Sequence, residues 1–388
     1  MLSRIRRTNK MSIDMIYHYW LPLLAGLTGT FIVLGLYRAL HTPKQTFYAG
    51  IIPESQLLGR DKALRFLVRR ILTGQSTAII GSFEKEKTAI LAHLRDAKHK
   101  TQLYGDKAER LIFSLMDIST LDEQYSFADF WEEALKPVEK IIKGTDSTLS
   151  NAYQACQESD FDNYDLAQLI EQLGQNEWRL VLMIERIELL LHHSHLMSSR
   201  FLGGLRSLAT ASSNSSLAVI VTGNISLQQF HQALKPLISN ASPYFNFMEP
   251  IILGPLPEPE LDNLLVQNER DFTADERRFI TESTAGHPYL LDIAISSLQE
   301  AYDNQEKEPL KIAKQTFSKR IKDLLDNLLH SWAPNTAQAF RLVAQKQGEV
   351  AHFKNELEDL AQQGLVIQNE ENGEWQVCPR IFSEVIAK

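Results

Sequence analysis

Four short apolar runs, each followed by a segment long enough for a helix, set the tightest limit on how this chain can fold. They are STAII at 76–80, LIFSLM at 111–116, LVLMI at 180–184 and LAVIV at 217–221. Runs that are apolar throughout, rather than at alternate positions, are buried on both faces. With helix-length segments between them, they predict an α/β domain built on a parallel sheet covered on both sides. Before the first run, LLGRDKALRFLVRRIL has apolar residues recurring at three and four positions and predicts an amphipathic helix.

The first run leads into Gly81-Ser-Phe-Glu-Lys-Glu-Lys87-Thr88, and a helix is expected from about Thr88. A strand-to-helix junction is where a phosphate-binding loop of the form G-x-x-x-x-G-K-[ST] belongs. Lys87 would meet the β- and γ-phosphates of ATP, the Thr88 hydroxyl would ligate Mg²⁺, and backbone N–H groups would cradle the phosphates. The position of the second glycine is Glu86, with Glu84 nearby. A side chain and a negative charge there oppose the close approach that glycine permits.

The third run ends in Glu185-Arg186-Ile-Glu188, where four apolar residues followed by Asp-Glu would hold Mg²⁺ and polarise the attacking water. Glu185 keeps a carboxylate for the metal, but Arg186 cannot accept a proton. Glu185 and Glu188 are the candidate catalytic residues. Glu188 either substitutes for the missing base or, more simply, faces solvent or pairs with Arg186. Hydrolysis is not expected.

From Tyr19 to Tyr37 the chain carries no charge and is flanked by aromatics. Its length approaches the roughly 30 Å of a bilayer core. This predicts a single-pass transmembrane helix rather than a cleaved leader. Arg4, Arg6, Arg7 and Lys10 precede it, which would keep the N-terminus inside; a start at Met11 removes them and leaves the large domain cytoplasmic, the orientation adopted here for a bacterial inner membrane. Ala25 and Gly29, with Gly26 and Thr30, offer small-xxx-small spacings for packing two anchors.

The segment from about 144 to 163 is polar and is expected to be an irregular insertion. Cys156 and Cys378 have no metal-type spacing. His192, His193 and His195 lack the accompanying ligands of a metal site and read as a polar helix end. Phe127, Phe130 and Trp131 read as core. The last 58 residues suggest helices followed by a β-hairpin, a winged-helix pattern. They hold five basic against eight acidic residues, and Glu356, Glu358 and Asp359 crowd the second helix, so nucleic-acid binding is disfavoured. The chain's net charge of −8 points the same way.

From Leu58 onward the sequence resembles the STAND-class, AAA-like P-loop ATPases, bacterial and archaeal-type. The resemblance rests on Gly59-Arg60-Asp61, on Leu205-Arg206-Ser-Leu208, on Val221-Thr222-Gly223-Asn224, on Leu253-Gly-Pro-Leu256 and on Gly286-His287-Pro288-Tyr289. It implies a P-loop core, a helical lid and a winged helix. It implies nucleotide contacts at Gly59, Arg60, Gly81, Lys87, Thr88, His287 and Pro288, sensor positions at Thr222 and Asn224, and Mg²⁺ at Thr88 and Glu185. The expected domains are an N-terminal flank (1–15), anchor (16–40), linker (41–56), core (57–256), lid (257–330) and winged helix (331–388). The expected function is a membrane-anchored switch or scaffold that binds ATP weakly or not at all, recruits protein partners and forms homo-oligomers. The alternatives are an active ATPase and a membrane-anchored DNA-binding regulator.

Overall fold

In the computed structural model, residues 59–142, 147–211, 216–238, 243–266 and 271–387 are described. The expected anchor and linker lie outside them. Among the described residues no helix is long and apolar enough to cross a membrane.

The chain begins with α1 (Asp61–Thr73), then β1 (Thr77–Ile80), α2 (Glu84–Arg95), α3 (Ala97–Tyr104) and β2 (Leu111–Asp117). Three helices follow, α4 (Phe127–Ile142), α5 (Ser147–Glu158) and α6 (Asn163–Gln175), then β3 (Arg179–Glu185), α7 (Ser199–Ala211), β4 (Leu217–Gly223), α8 (Leu227–Leu234) and β5 (Glu249–Ile252). The five strands form one parallel sheet in the order β2-β3-β4-β1-β5, as the apolar runs require.

Side chains alternate across the sheet, so each strand feeds two cores. Ile79, Val181, Met183 and Ile220 face α1–α3 and the later helices. Ala78, Ile80, Leu182, Ile184, Val219 and Val221 face α4–α8, where Phe130 and Trp131 are fully buried.

The structure departs from three sequence expectations. The strand β5 has no apolar run: it is an exposed edge strand paired only with β1, and an edge tolerates Pro250. The 144–163 segment is not irregular along its length. It contains α5, because Leu149, Tyr153 and Cys156 recur at helical spacing and are buried. Third, α2 starts at Glu84 rather than near Thr88, a difference that governs the site described below.

After β5 come α9 (Glu258–Val266), α10 (Ala274–Thr284), α11 (Pro288–Asp303) and α12 (Pro309–Ser331). A capping box at Thr273 and Glu276 opens α10, and proline at the first position opens α11 and α12. The C-terminal module is α13 (Pro334–Gln345), α14 (Lys354–Gln362), the antiparallel pair β6 (Val366–Gln368) and β7 (Trp375–Val377), and α15 (Ile381–Ile386). Its own core includes Phe340, Leu357, Leu360 and Phe382.

The α14–β6 turn docks this module on the rest of the chain. Gly364 adopts φ +73°, and a Cβ there would collide with the Pro255 ring. In the hairpin turn, Gly373 has a nearly equal φ of +71° but open space around its missing Cβ. Gly364→Ala is therefore expected to cost about 2–3 kcal/mol, adding a steric clash to backbone strain, while Gly373→Ala costs about 1 kcal/mol. Urea unfolding of the two variants checks the difference, and equal losses would refute the docking argument.

Candidate functional site

In parallel sheets ligands bind beyond the carboxyl ends of the strands, where the chain's direction of winding reverses. Here that is the end of β1, whose neighbours are β4 and β5. Only Gly81, Ser82 and Phe83 separate β1 from α2. The N–H groups of Glu86 and Lys87 are directed at the Phe83 carbonyl, at 3.2 and 3.4 Å. Two donors that a wide phosphate loop would offer to a ligand are thus committed within the first helical turn.

Lys87 is entirely buried. Its ammonium donates to the carbonyls of Gly81 and Gly223, the latter at 3.0 Å, and to the Glu84 carboxylate at 2.7 Å. A buried cation requires such partners, and the chain supplies all of them. Glu86, at the expected glycine position, is 1% exposed and accepts from Arg60 Nε at 2.5 Å. A second Arg60 nitrogen donates to the Gly254 carbonyl at 2.7 Å. Gly59 turns the chain into this contact with φ +64°, pressed against Leu256.

The metal-type pair is in contact: the Thr88 hydroxyl donates to Glu185 Oε1 at 2.7 Å. Arg186 takes a left-handed backbone, φ 59°. Its N–H donates to the Thr222 hydroxyl at 3.2 Å, and its guanidinium forks onto Asp117, with Nε 3.1 Å from Oδ1. Asp117 ends β2 directly beside Glu185. The expectation that Glu188 faces solvent or pairs with Arg186 is therefore wrong on both counts. Asp117 takes the arginine, and Glu188 is buried against Gly223 in the field of Lys87 and Glu84. Burial pushes its carboxyl up to about 6; Lys87 opposes that shift and Glu84 adds to it.

The polar reporter Asn224 donates to the Ser331 carbonyl at the end of α12, 3.0 Å away. His287 is buried, 5.3 Å edge-on from the Phe83 ring, and Pro288 opens α11 behind it. The carbonyl of Gly364 accepts from His287 Nε2 at 3.2 Å, which leaves the neutral ring with an unprotonated Nδ1. Ser82 donates to Gln363 at 2.6 Å, so the C-terminal module touches the phosphate-loop segment itself. The sequence named the residues in this cluster, but Asp117, Gly364 and Gln363 were missed. Only Asp117 carried a signal, as the polar residue closing an apolar run.

The three histidines at 192, 193 and 195 form no metal cluster, nor does any other group among the described residues. Cys156 and Cys378 are both free thiols.

A family profile described as an AAA-like domain matches residues 154–382, more than half of the chain and beginning beyond the phosphate-loop segment. No curated protein matches the sequence. Among solved structures, the chain is similar to a Walker-type ATPase of Pyrococcus abyssi, with 15% identity and a TM-score of 0.56, covering 85% of this chain and 95% of that one. It is also similar to the ORC2 protein of Aeropyrum pernix, solved as ADPNP–ADP complexes, with 12% identity, a TM-score of 0.48, and coverage of 87% and 96%. The Pyrococcus structure supports a P-loop ATPase fold.

Burial holds the His287 pKa down to about 4, with Arg60 adding to the effect and the Gly364 carbonyl opposing it. Between pH 6.5 and about 4 the unfolded chain takes up a proton that the folded chain refuses. Stability is therefore expected to fall across that window by up to about 3 kcal/mol as the pH is lowered. A His287→Phe variant lacks this component. Subtracting its urea-unfolding profile from the parent's checks the slope, and parallel profiles would refute it.

Proposed function

We propose, from the premise that this chain belongs to the AAA-like domain family, that it is a membrane-tethered STAND-type module whose phosphate seat is filled by its own side chains. It acts as a switch or scaffold rather than as an ATP-hydrolysing engine. The observation that carries this reading is Lys87: its ammonium is enclosed by Gly81, Gly223 and Glu84, with no exposed surface left for a phosphate. The Glu86–Arg60 pair and the early start of α2 support it. So does Arg186, which occupies the base position and is turned away onto Asp117.

The segment at 16–40 supplies the anchor, and the described domain lies on the cytoplasmic face. The helix–helix–hairpin order of α13, α14, β6 and β7 supports a winged helix. Its acidic second helix favours a protein partner over nucleic acid. Small residues in the anchor favour self-association.

A second reading, slow hydrolysis of Mg·ATP, is favoured by the Thr88–Glu185 hydrogen bond and by the buried Glu188 carboxylate. In that case Thr88 and Glu185 would hold Mg²⁺, which would neutralise phosphate charge, and the cradle around Lys87 would have to open first.

Titration with a fluorescent ATP analogue and Mg²⁺ separates the two readings. The parent chain is expected to show no sub-micromolar affinity and no phosphate release above that of Lys87→Ala. Glu84→Gln is expected to improve nucleotide affinity about five- to tenfold, the effect of removing one partly screened negative charge beside the phosphates. Sub-micromolar, Mg²⁺-dependent binding, or phosphate release abolished by Lys87→Ala, would overturn the proposal.

A further inference from the structure

A cavity of about 520 Å³ opens between the β1–α2 turn and the facing sides of α11 and α12. Lys87, Thr88, Glu185, Arg60 and His287 are not among the residues lining it. It is therefore separate from the phosphate seat and from the residues the family resemblance places near the nucleotide. Its volume falls within the usual range for small-molecule sites.

The floor is aromatic. Phe83 and Tyr289 line it, with ring centroids 5.5 Å apart. The long wall is one face of α12, where Arg320, Asp323, Leu324, Asn327 and Leu328 recur at three- and four-residue spacing.

Most of the charged groups around it are already engaged. Glu84 holds Lys87. Arg320 is bound to the hydroxyls of Ser296 and Ser297 and to Glu300 at 2.7 Å. The Lys85 ammonium sits over the Tyr289 ring, 5.9 Å from its centroid. Two carboxylates, Glu84 and Asp323, balance the two cations, so a ligand of net charge gains nothing here, and a polyphosphate would meet no uncommitted cation. Asp323 and Asn327 are the groups left over: one turn apart on α12, they make no hydrogen bond or ion pair with another described residue.

This arrangement specifies a ligand chemistry. An exposed carboxylate needs a donor. A carboxamide pairs in bidentate fashion with an edge that offers one donor beside one acceptor, as it does with the amino group and adjacent ring nitrogen of adenine. One amino group has two hydrogens, one for the Asn327 oxygen and one for Asp323. Aromatic side chains accept the flat face of such a ring. We propose that this cavity binds an uncharged, planar heterocycle bearing an amino group beside a ring nitrogen, of nucleoside size and without phosphates. The site goes beyond the self-filled phosphate seat and does not depend on it.

The test uses the detergent-solubilised full chain and calorimetric titration with adenosine and inosine. Inosine replaces the amino group with an oxygen, which Asp323 would repel. Adenosine is expected to bind without Mg²⁺. Inosine against the parent chain, and adenosine against Asn327→Ala or Asp323→Ala, should each bind about tenfold more weakly. Both substituted residues are exposed, so their variants should melt with the parent, and a loss of binding then reports on the site. Lys87→Ala should bind adenosine as the parent does.

Absence of adenosine binding would overturn the proposal. So would equal affinity for inosine, or binding lost in Lys87→Ala but kept in Asn327→Ala. Tight Mg·ATP binding abolished by Lys87→Ala would instead defeat the phosphate-seat reading and leave this one standing.

Discussion

An ammonium group with no surface on solvent must be surrounded by oxygen atoms, and the chain meets that demand at Lys87 without outside help. The carbonyl of Gly81 comes from the end of β1, that of Gly223 from the end of β4, and the carboxylate of Glu84 from the first turn of α2. These three sources are brought together only because β1 and β4 are neighbours in the sheet. Fold and site therefore constrain each other. The strand order places two carbonyls at one point, and the lysine ties the point together. Removing one partner of a buried charge typically costs several kcal/mol, because the remaining charge is left without solvent or partner. A ligand that displaced Glu84 would have to replace its contact in full.

The Arg60–Glu86 pair extends the same logic one turn along α2. A glutamate at this position would be expensive next to polyphosphate, yet it is well accommodated where Arg60 reaches it and Gly254 takes up another guanidinium nitrogen. The residue that looks like damage in a nucleotide loop is a structural partner in this one. Arg186 follows a similar pattern: useless as a base, it ties the end of β3 to that of β2 through Asp117. At both positions the side chain that departs from a catalytic motif has an ionic partner inside the fold.

The central strands, the cores on both sheet faces and the residues of the phosphate segment were legible in the sequence, because apolar runs and Gly-to-Lys-Thr spacing are local properties. What stayed hidden depends on contacts between distant segments. The edge strand β5 is short and polar, and only its pairing with β1 makes it a strand. The helix α5 sits in a stretch dominated by polar residues, and its buried face becomes apparent only once Leu149 and Tyr153 meet their neighbours in the core. The start of α2 at Glu84 was unreadable for a related reason. The same residues can form an open loop around an anion or a closed helical turn, and the sequence does not state which anion is present. Glu188 shows the limit at a single residue, since its burial follows from the close approach to Gly223 rather than from its immediate neighbours.

Three contacts run from the phosphate-loop region and the adjoining core to the lid and C-terminal module: Ser82 to Gln363, Asn224 to Ser331, and His287 to Gly364. Two of them, Ser82 to Gln363 and His287 to Gly364, meet at neighbouring residues in the α14–β6 turn, where Gly364 admits no side chain. Rotating the module would break both contacts together, because neither side chain can follow a carbonyl or carboxamide that moves by more than a hydrogen-bond length. Buried polar groups left without partners carry a free-energy cost of about 1–3 kcal/mol each. The docked arrangement and an undocked one are thus separated by a step rather than connected by a slope. A surface coupled in this way to the loop suits a module that changes state by docking, and it places the sensitive point at the turn rather than at the strand ends where hydrolysis would occur.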